Sequence, residues 1–282
     1  MKIQVIGLCR FSVPVEGGFQ IEHGTLADRR AFLYAPERLE QRFLWFEQVF
    51  LPSIRKQTDP DFRLIVLAGA DLPEPWRSRL SDGTADVPQI DLQFRSPGNH
   101  RDLCRWVMAE AASVRSADVL AEFRLDDDDA VALNYIRRIR DDFRDCLAGY
   151  YRAKGRVFAD QSRGVVLDAR TDPVAVRPVA VPHWTPGLTL YLPPETDSHI
   201  MDFPHHRILH SMSGMNFQDE VMYLRGRHTT NDSDGWGGQL GEPFAEARAT
   251  DVLRRRFGID LPRFARTCAA IRGARGAVSR HR

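Results

Sequence analysis

Residues 3–9 form a short, largely apolar run with polar positions on either side. Its length and composition predict a strand buried on both faces. A loop with Pro14, Gly17, Gly18 and Gly24 follows. Pro36 then opens a helix over residues 37–56, in which Leu39, Phe43, Phe46, Val49 and Phe50 recur at helical spacing. Residues 62–68 repeat the buried-strand pattern and end at Gly69-Ala70-Asp71. Residues 74–80 predict a short helix, 90–94 an alternating strand, and 101–114 a helix beyond the breaker Ser96-Pro97-Gly98-Asn99. The strand over 119–125 runs into Asp126-Asp127-Asp128-Asp129, and 133–146 is again helical. This alternation predicts an α/β fold with a mostly parallel central sheet flanked by helices. Ligands of such sheets bind beyond the carboxyl ends of the strands, where the aspartates sit.

The remainder is less regular. Residues 164–169, 174–181 and 221–227 read as strands, and 182–216, rich in proline and histidine, as loops around a site. From Arg248 onward ten arginines face only Asp251 and Asp260, so ten minus two leaves +8 in a chain of net charge +1. The expected division is one domain over 1–247, with halves 1–130 and 131–247, and a basic tail over 248–282. A solvated tail and a basic helix lying on anionic lipid both fit that composition. The near-neutral whole has no global field for nucleic acid. Cys9, Cys104, Cys146 and Cys268 are far apart, which argues against a zinc ribbon or a disulfide framework. The apolar opening run is too short for a signal peptide, and no stretch reaches the ~18 apolar residues of a membrane span. The expected location is cytoplasmic, with peripheral contact at the inner membrane through the basic end.

Four adjacent carboxylates repel by roughly 4 kcal/mol per close pair at an effective dielectric of about 20. Water, arginine or a divalent cation must offset that. On an extended chain Asp126 and Asp128 share one face and Asp127 points away. Two carboxylates at the mouth of a sheet suit Mg²⁺ or Mn²⁺, which would grip a diphosphate and neutralise it as it leaves. Asp129 also suits an N-cap for a following helix. An EF-hand does not fit, because its later Gly and Glu are missing.

Four segments in order carry a resemblance. They are Arg42-Phe43-Leu44-Trp45-Phe46 with Phe50-Leu51-Pro52-Ser53-Ile54; Phe62-Arg63-Leu64-Ile65-Val66-Leu67; Phe123-Arg124-Leu125 with the aspartates; and Arg227-His228 with Asn231-Asp232-Ser233. Over roughly residues 1–235 the chain resembles the GT-A glycosyltransferases with their DxD motif, and more closely the bacterial rhamnosyltransferase family. The resemblance implies a GT-A fold that binds a nucleotide-diphosphate sugar with Mn²⁺ or Mg²⁺ and serves a glycan or lipid-linked acceptor. Asp126 and Asp128 match the outer DxD positions, with Asp128 the direct metal ligand and Asp127 beside the nucleotide. His228 is the implied further ligand, with His183, His199, His205, His206 and His210 as rivals. Arg10 and Ser12 should border base and ribose, and Asp71 should contact the base. Arg101 and Arg105 are placed to fork onto the diphosphate; a surface salt-bridge role explains them equally well.

An inverting transferase needs a base for the acceptor hydroxyl. Asp219 and Glu220 are the candidates in the second half, although the QxxRW companion of some inverting enzymes is absent. A retaining enzyme would need no such base. Trp184 and Trp236 suit a sugar face. A nucleotidyltransferase is the nearest alternative, but Gly17-Gly18 lack the Arg and Lys pattern of its loop. A non-catalytic GT-A-like carbohydrate-binding module is the other.

Overall fold

The computed structural model describes residues 1–17, 25–113, 116–231 and 240–279, with side chains to residue 273. β1 (Ile3–Phe11) leads to α1 (Leu26–Leu33) and then a long helical run: α2 (Pro36–Trp45), a π-helical turn Phe46–Phe50 and α3 (Leu51–Arg55). β2 (Arg63–Gly69), α4 (Trp76–Thr84), β3 (Ile90–Arg95), α5 (His100–Ala112) and β4 (Val119–Arg124) continue the alternation. Next come β5 (Ala130–Val131), α6 (Tyr135–Asp142), a second π-helical turn Phe143–Leu147 and α7 (Ala148–Lys154). The later elements are β6 (Val157–Gln161), β7 (Arg163–Asp168), β8 (Ala175–Ala180), β9 (Leu188–Leu192), α8 (Ile208–Ser211), β10 (Ser213–Phe217) and β11 (Tyr223–Arg227). α9 (Glu246–Phe257) and α10 (Leu261–Ser279) close the described chain.

The expected α/β architecture is present. The central sheet has seven strands in the order β10-β6-β9-β4-β1-β2-β3, and a second sheet orders β5-β11-β7-β8. β1 pairs in parallel with β2 and β4, and Leu8 stands opposite Arg124. Only β9 runs against the others in the central sheet, antiparallel to both β4 and β6. The carboxyl ends of β1 and β4 therefore open on one edge. α2 packs there because its apolar stripe faces β1: Phe11 meets Phe43 at 4.9 Å and Phe46 at 5.1 Å, edge to face. Each such ring contributes about 1.5–3 kcal/mol through burial.

Two expectations are corrected. Residues 182–216 are not only loops, since β9 lies in the middle of the sheet, entirely buried. Its five residues are flanked by Pro186-Gly187 and Pro193-Pro194, and those turn signals hide a short strand. The chain after residue 247 is also not a separate tail. Leu253, Phe257, Ile259, Leu261, Phe264 and Cys268 join the main core, and Phe264 packs on Trp45 at 4.8 Å. Helix spacing puts Leu253 and Phe257 on one face of α9 and Leu261, Phe264 and Cys268 on one face of α10, while Arg248, Arg254, Arg255, Arg263 and Arg266 are exposed. Some arginines are structural: Arg256 donates to the Val221 carbonyl and Arg272 to those of Ala169 and Thr171. Among the described residues no helix is long and apolar enough to cross a membrane.

Candidate active site

A cleft of about 400 Å³ lies at the carboxyl ends of β1 and β4. Asp126, Asp127 and Asp128 form its acidic floor, Arg10, Arg38, Arg42, Arg101, Arg124 and Arg225 line it with cationic groups, and Trp184, Phe203, Pro204 and His205 complete the wall, with Arg225 over the Trp184 ring. The last ladder bond of β4 runs from Leu125 N–H to the Leu8 carbonyl, and the Asp129 N–H then closes a turn on the Asp126 carbonyl at 3.0 Å. The aspartates thus sit in a turn, not on an extended strand. β5 follows, so Asp129 caps no helix.

Each carboxylate has its own answer to the mutual repulsion. Asp127 is 0% exposed and is clasped by Arg42, whose Nε donates to Oδ2 at 3.0 Å and whose Nη2 lies against Oδ1. It is therefore an anchor beneath the cleft and no longer reads as a nucleotide contact. Asp128 Oδ2 accepts from Arg42 Nη1 at 3.1 Å, His228 Nε2 at 2.8 Å and Asn231 Nδ2 at 3.0 Å. Burial alone would raise its pKa, but Arg42, His228 and Arg225 hold it well below the usual carboxylate range. Burial raises Asp129 well above that range, against Arg225 and the Gly226 N–H. Asp126 is 34% exposed and faces Arg10 Nη2 at 3.4 Å. Gly226 on β11 allows this approach. It donates to Asp129 Oδ1 at 2.9 Å, and a Cβ there would stand 2.3 Å from the Asp128 carbonyl oxygen.

His228, the expected metal ligand, reaches Asp128 from outside the cleft lining, its ring tilted against Trp45 at 4.9 Å. Its Nδ1 accepts from the Thr230 N–H at 3.2 Å, which leaves the proton on Nε2, facing Asp128. Burial lowers its pKa despite Asp128, so the ring is neutral. In this tautomer it orients Asp128 and offers no lone pair to a cation. Among the described residues no cluster of three or more His, Cys, Asp or Glu could hold a metal. Mg²⁺ is usually held by one or two carboxylates together with substrate phosphates. Asp126 with the strongly acidic Asp128 fits that pattern.

The other expected residues divide. Arg10, Ser12 and Arg101 line the cleft. Ser12 sits at φ 46, a left-handed turn that a non-glycine residue adopts at a cost, and its Oγ accepts from Arg38. Asp71 lies outside the cleft lining, bound by Tyr34 at 2.8 Å and by Arg30. Arg105 pairs with Asp202 at 2.8 Å, the surface salt bridge that was its other reading. Asp219 and Glu220 are not brought to the cleft. Asp219 is forked by Arg138 at 2.6 and 2.9 Å, and Glu220 binds Arg256 at 2.7 Å. Trp184 lines the cleft beneath Arg225. Trp236, Asp232 and Ser233 lie outside the described residues.

Sequence reasoning missed Arg38, Arg42, His100, Arg124, Arg225 and Asn231. A signal existed for the first two, since they lie four apart on a helix that is otherwise apolar on that side. Arg124 and Arg225 also interrupt apolar strands. Arg124 donates to Thr185 Oγ1 at 3.0 Å and Met201 Sδ at 3.6 Å, with no carboxylate in ion-pair reach among the described residues. Burial, with Arg10 and Arg225 adding to it against Asp126, lowers its pKa to about 10. An anion entering the cleft would relieve that. His100 accepts from Arg10 Nη1 at 2.9 Å; burial and the charges of Arg10 and Arg124 lower its pKa to about 4, so it stays neutral.

Residues 4–239 match the family described as "Putative rhamnosyl transferase". No curated protein matches the chain. Solved structures match distantly. For S. aureus TarS 1-349 in complex with UDP-GlcNAc the identity is 11%, covering 84% of this chain and 62% of that one, at a TM-score of 0.39. For S. aureus TarS 1-349 the figures are 11%, 80%, 60% and 0.37. For the glycosyltransferase GlyE of Streptococcus pneumoniae TIGR4 they are 8%, 96%, 64% and 0.35. The chain spans about 60% of the TarS fragment it matches.

Proposed function

The chain belongs to the family described as "Putative rhamnosyl transferase", and on that premise we propose that it moves a sugar from a nucleotide-diphosphate donor to a hydroxyl of a glycan or lipid-linked acceptor. Rhamnose is the first sugar to test. One observation supports this most: a cleft at the strand ends that sets two carboxylates, Asp126 and Asp128, against arginines Arg10, Arg101, Arg124 and Arg225. A diphosphate is the anion that answers both halves. Its oxygens accept the guanidinium forks, and Asp126 with Asp128 would hold Mn²⁺ or Mg²⁺ beside it. Such a cation supplies charge neutralisation on the departing diphosphate. His100 keeps Arg10 aimed into the cleft, and Arg42 and His228 fix Asp128. Trp184 and Pro204 form an apolar wall suited to the acceptor's sugar ring. Exposed arginines of α9, such as Arg254 and Arg255, would add contact with an anionic membrane; co-flotation with phosphatidylserine vesicles, lost in an Arg254/Arg255 double alanine variant, checks that part.

Calorimetry of UDP, GDP and dTDP with and without Mn²⁺ tests the donor site. Asp126→Asn is the variant to use, because Asp126 is half-buried and its replacement leaves the Arg42 pairs intact. The expected result is metal-dependent binding of one nucleotide, weakened at least tenfold in the variant. Folded wild-type protein that binds none of the three would overturn the reading.

A further inference from the structure

Besides His100, the cleft is lined by one further histidine, in an unusual setting. His205 lies in a short 3-10 turn and lines the cleft beside Trp184 and Pro204. Its Nδ1 is 2.7 Å from the backbone carbonyl of His183. A carbonyl oxygen only accepts, so Nδ1 carries the hydrogen and the lone pair of the neutral ring sits on Nε2. No described residue takes that nitrogen.

The carbonyl is itself held in place. His183 adopts φ 59, a left-handed conformation that a non-glycine residue adopts only at a cost. Its N–H donates to Asp160 Oδ2 at 2.8 Å, and Asn216 Nδ2 donates to the same oxygen. Asp160 is fully buried on β6. A buried carboxylate and a strained residue thus fix the carbonyl that sets the His205 tautomer, which parallels the oriented base of acyl-transfer enzymes.

We infer that His205 is the general base that takes the acceptor hydroxyl's proton on Nε2, with His183 and Asp160 as positioning residues. This rests on the donor reading above. As Nε2 takes the proton, the acceptor oxygen bonds to the anomeric carbon. The bond from that carbon to the phosphate oxygen breaks, and its electron pair leaves with the nucleoside diphosphate. The imidazolium then returns its proton to water. One displacement inverts the anomeric centre. The groups facing His205 are Arg124 from β4, Arg225 from β11 and the adjacent His206. Burial first, then Arg124, lowers its pKa, so the ring is neutral at pH 7 and ready to accept. A diphosphate bound by those arginines would offset their repulsion of the imidazolium, tying the base's strength to donor occupancy.

The test compares wild type with His205→Gln, His205→Ala, Asp160→Ala and Asp160→Asn, all checked for folding by circular dichroism. UDP, GDP and dTDP binding is measured first. The nucleotide sugar of the bound base is then assayed for nucleoside diphosphate release with water as acceptor, from pH 5 to 9. Imidazole ¹⁵N spectra of the wild type report the tautomer. The expected result is nucleotide affinity within about threefold of wild type in both His205 variants, with release slowed on the order of 10²–10⁴-fold. The acid limb of the kcat/KM profile should vanish with the histidine. Asp160→Ala should lower kcat with KM unchanged, and Asp160→Asn, which still accepts from His183, should restore it. A His205→Gln enzyme of wild-type rate, or a spectrum with the proton on Nε2, overturns the inference while leaving the donor site standing. Wild type that binds no nucleotide overturns the donor reading and the inference with it.

Discussion

Two acidic clusters follow strands of the central sheet that run in the same direction: Asp126 to Asp129 after β4, and Asp219 with Glu220 after β10. By residue type they are equivalent candidates for chemistry. Their surroundings are not. Asp127 and Asp128 are buried and share one guanidinium at the floor of a cleft. Asp219 and Glu220 are 54% and 37% exposed and pair with Arg138, which reaches both, and with Arg256, which binds Glu220, on the outer helices. The Arg138 fork, set mainly against modest burial, lowers the pKa of Asp219, which weakens it as a base. The difference teaches that a carboxylate's use follows from what shares its burial. A charge that cannot reach water must be built into a network, and the network can then be aimed at a ligand.

The sharpest way to break this contrast is Arg42→Ala. It leaves Asp127 and Asp128 buried without their shared cation. Removing one partner of a buried pair costs about 3–5 kcal/mol, and the melting temperature should fall by roughly 10 °C. Thermal unfolding checks it. A loss no larger than that of a surface pair would mean that the aspartate turn is wetter and looser than its burial implies.

A smaller effect should appear with pH. His100 has its pKa lowered from 6.5 to about 4 by burial and by Arg10. The unfolded chain therefore binds the proton more readily. The stability that follows is fully present above pH 6.5 and is lost as pH falls through about 4, amounting to about 3 kcal/mol. Urea unfolding at pH 7, 5.5 and 4 measures that slope, and His100→Gln should flatten it. An unchanged slope in the variant would place the acid sensitivity elsewhere.

Gly226→Ala tests the contact between β11 and the aspartate turn. A Cβ at 2.3 Å from the Asp128 carbonyl and 2.9 Å from Trp45 forces one of them to move, at about 1–3 kcal/mol. Nucleotide affinity should fall alongside stability, because the shifted atom belongs to the turn that carries the cleft carboxylates. Unchanged affinity in a destabilised variant would separate the turn from donor binding.

Much of the first half was legible because its signals are local. An apolar strand, a breaker and a periodic helix recur through residue 125, and the aspartates are visible at once as an electrostatic problem. The solution was not legible, because it comes from far away in sequence. Arg42 lies 86 residues before Asp128, and His228 lies 100 after it. β6 and β10 were hidden for another reason. Asp160 and Gln161 make β6 look polar although both are buried in a hydrogen-bonded network, and β10 is rich in small and polar residues. The arginines after residue 247 dominate composition, yet it is Leu253, Phe257 and Phe264 that decide where the segment goes.

The smallest expected effect belongs to the second acidic cluster. Asp219→Asn removes one carboxylate charge from an Arg138 that also binds Asp142 at 2.6 Å. Arg138 thus keeps a partner, and Asp219 can already reach water. Exposed pairs of this kind contribute at most about 1 kcal/mol. Thermal unfolding of the variant should shift by a few degrees at most, and donor turnover should stay within twofold of wild type. A turnover loss of a hundredfold with intact folding would return the base to Asp219. It would also mean that the acceptor reaches across β6 and β9 to the outer edge of the sheet, and that the contrast between the clusters describes two parts of one long site.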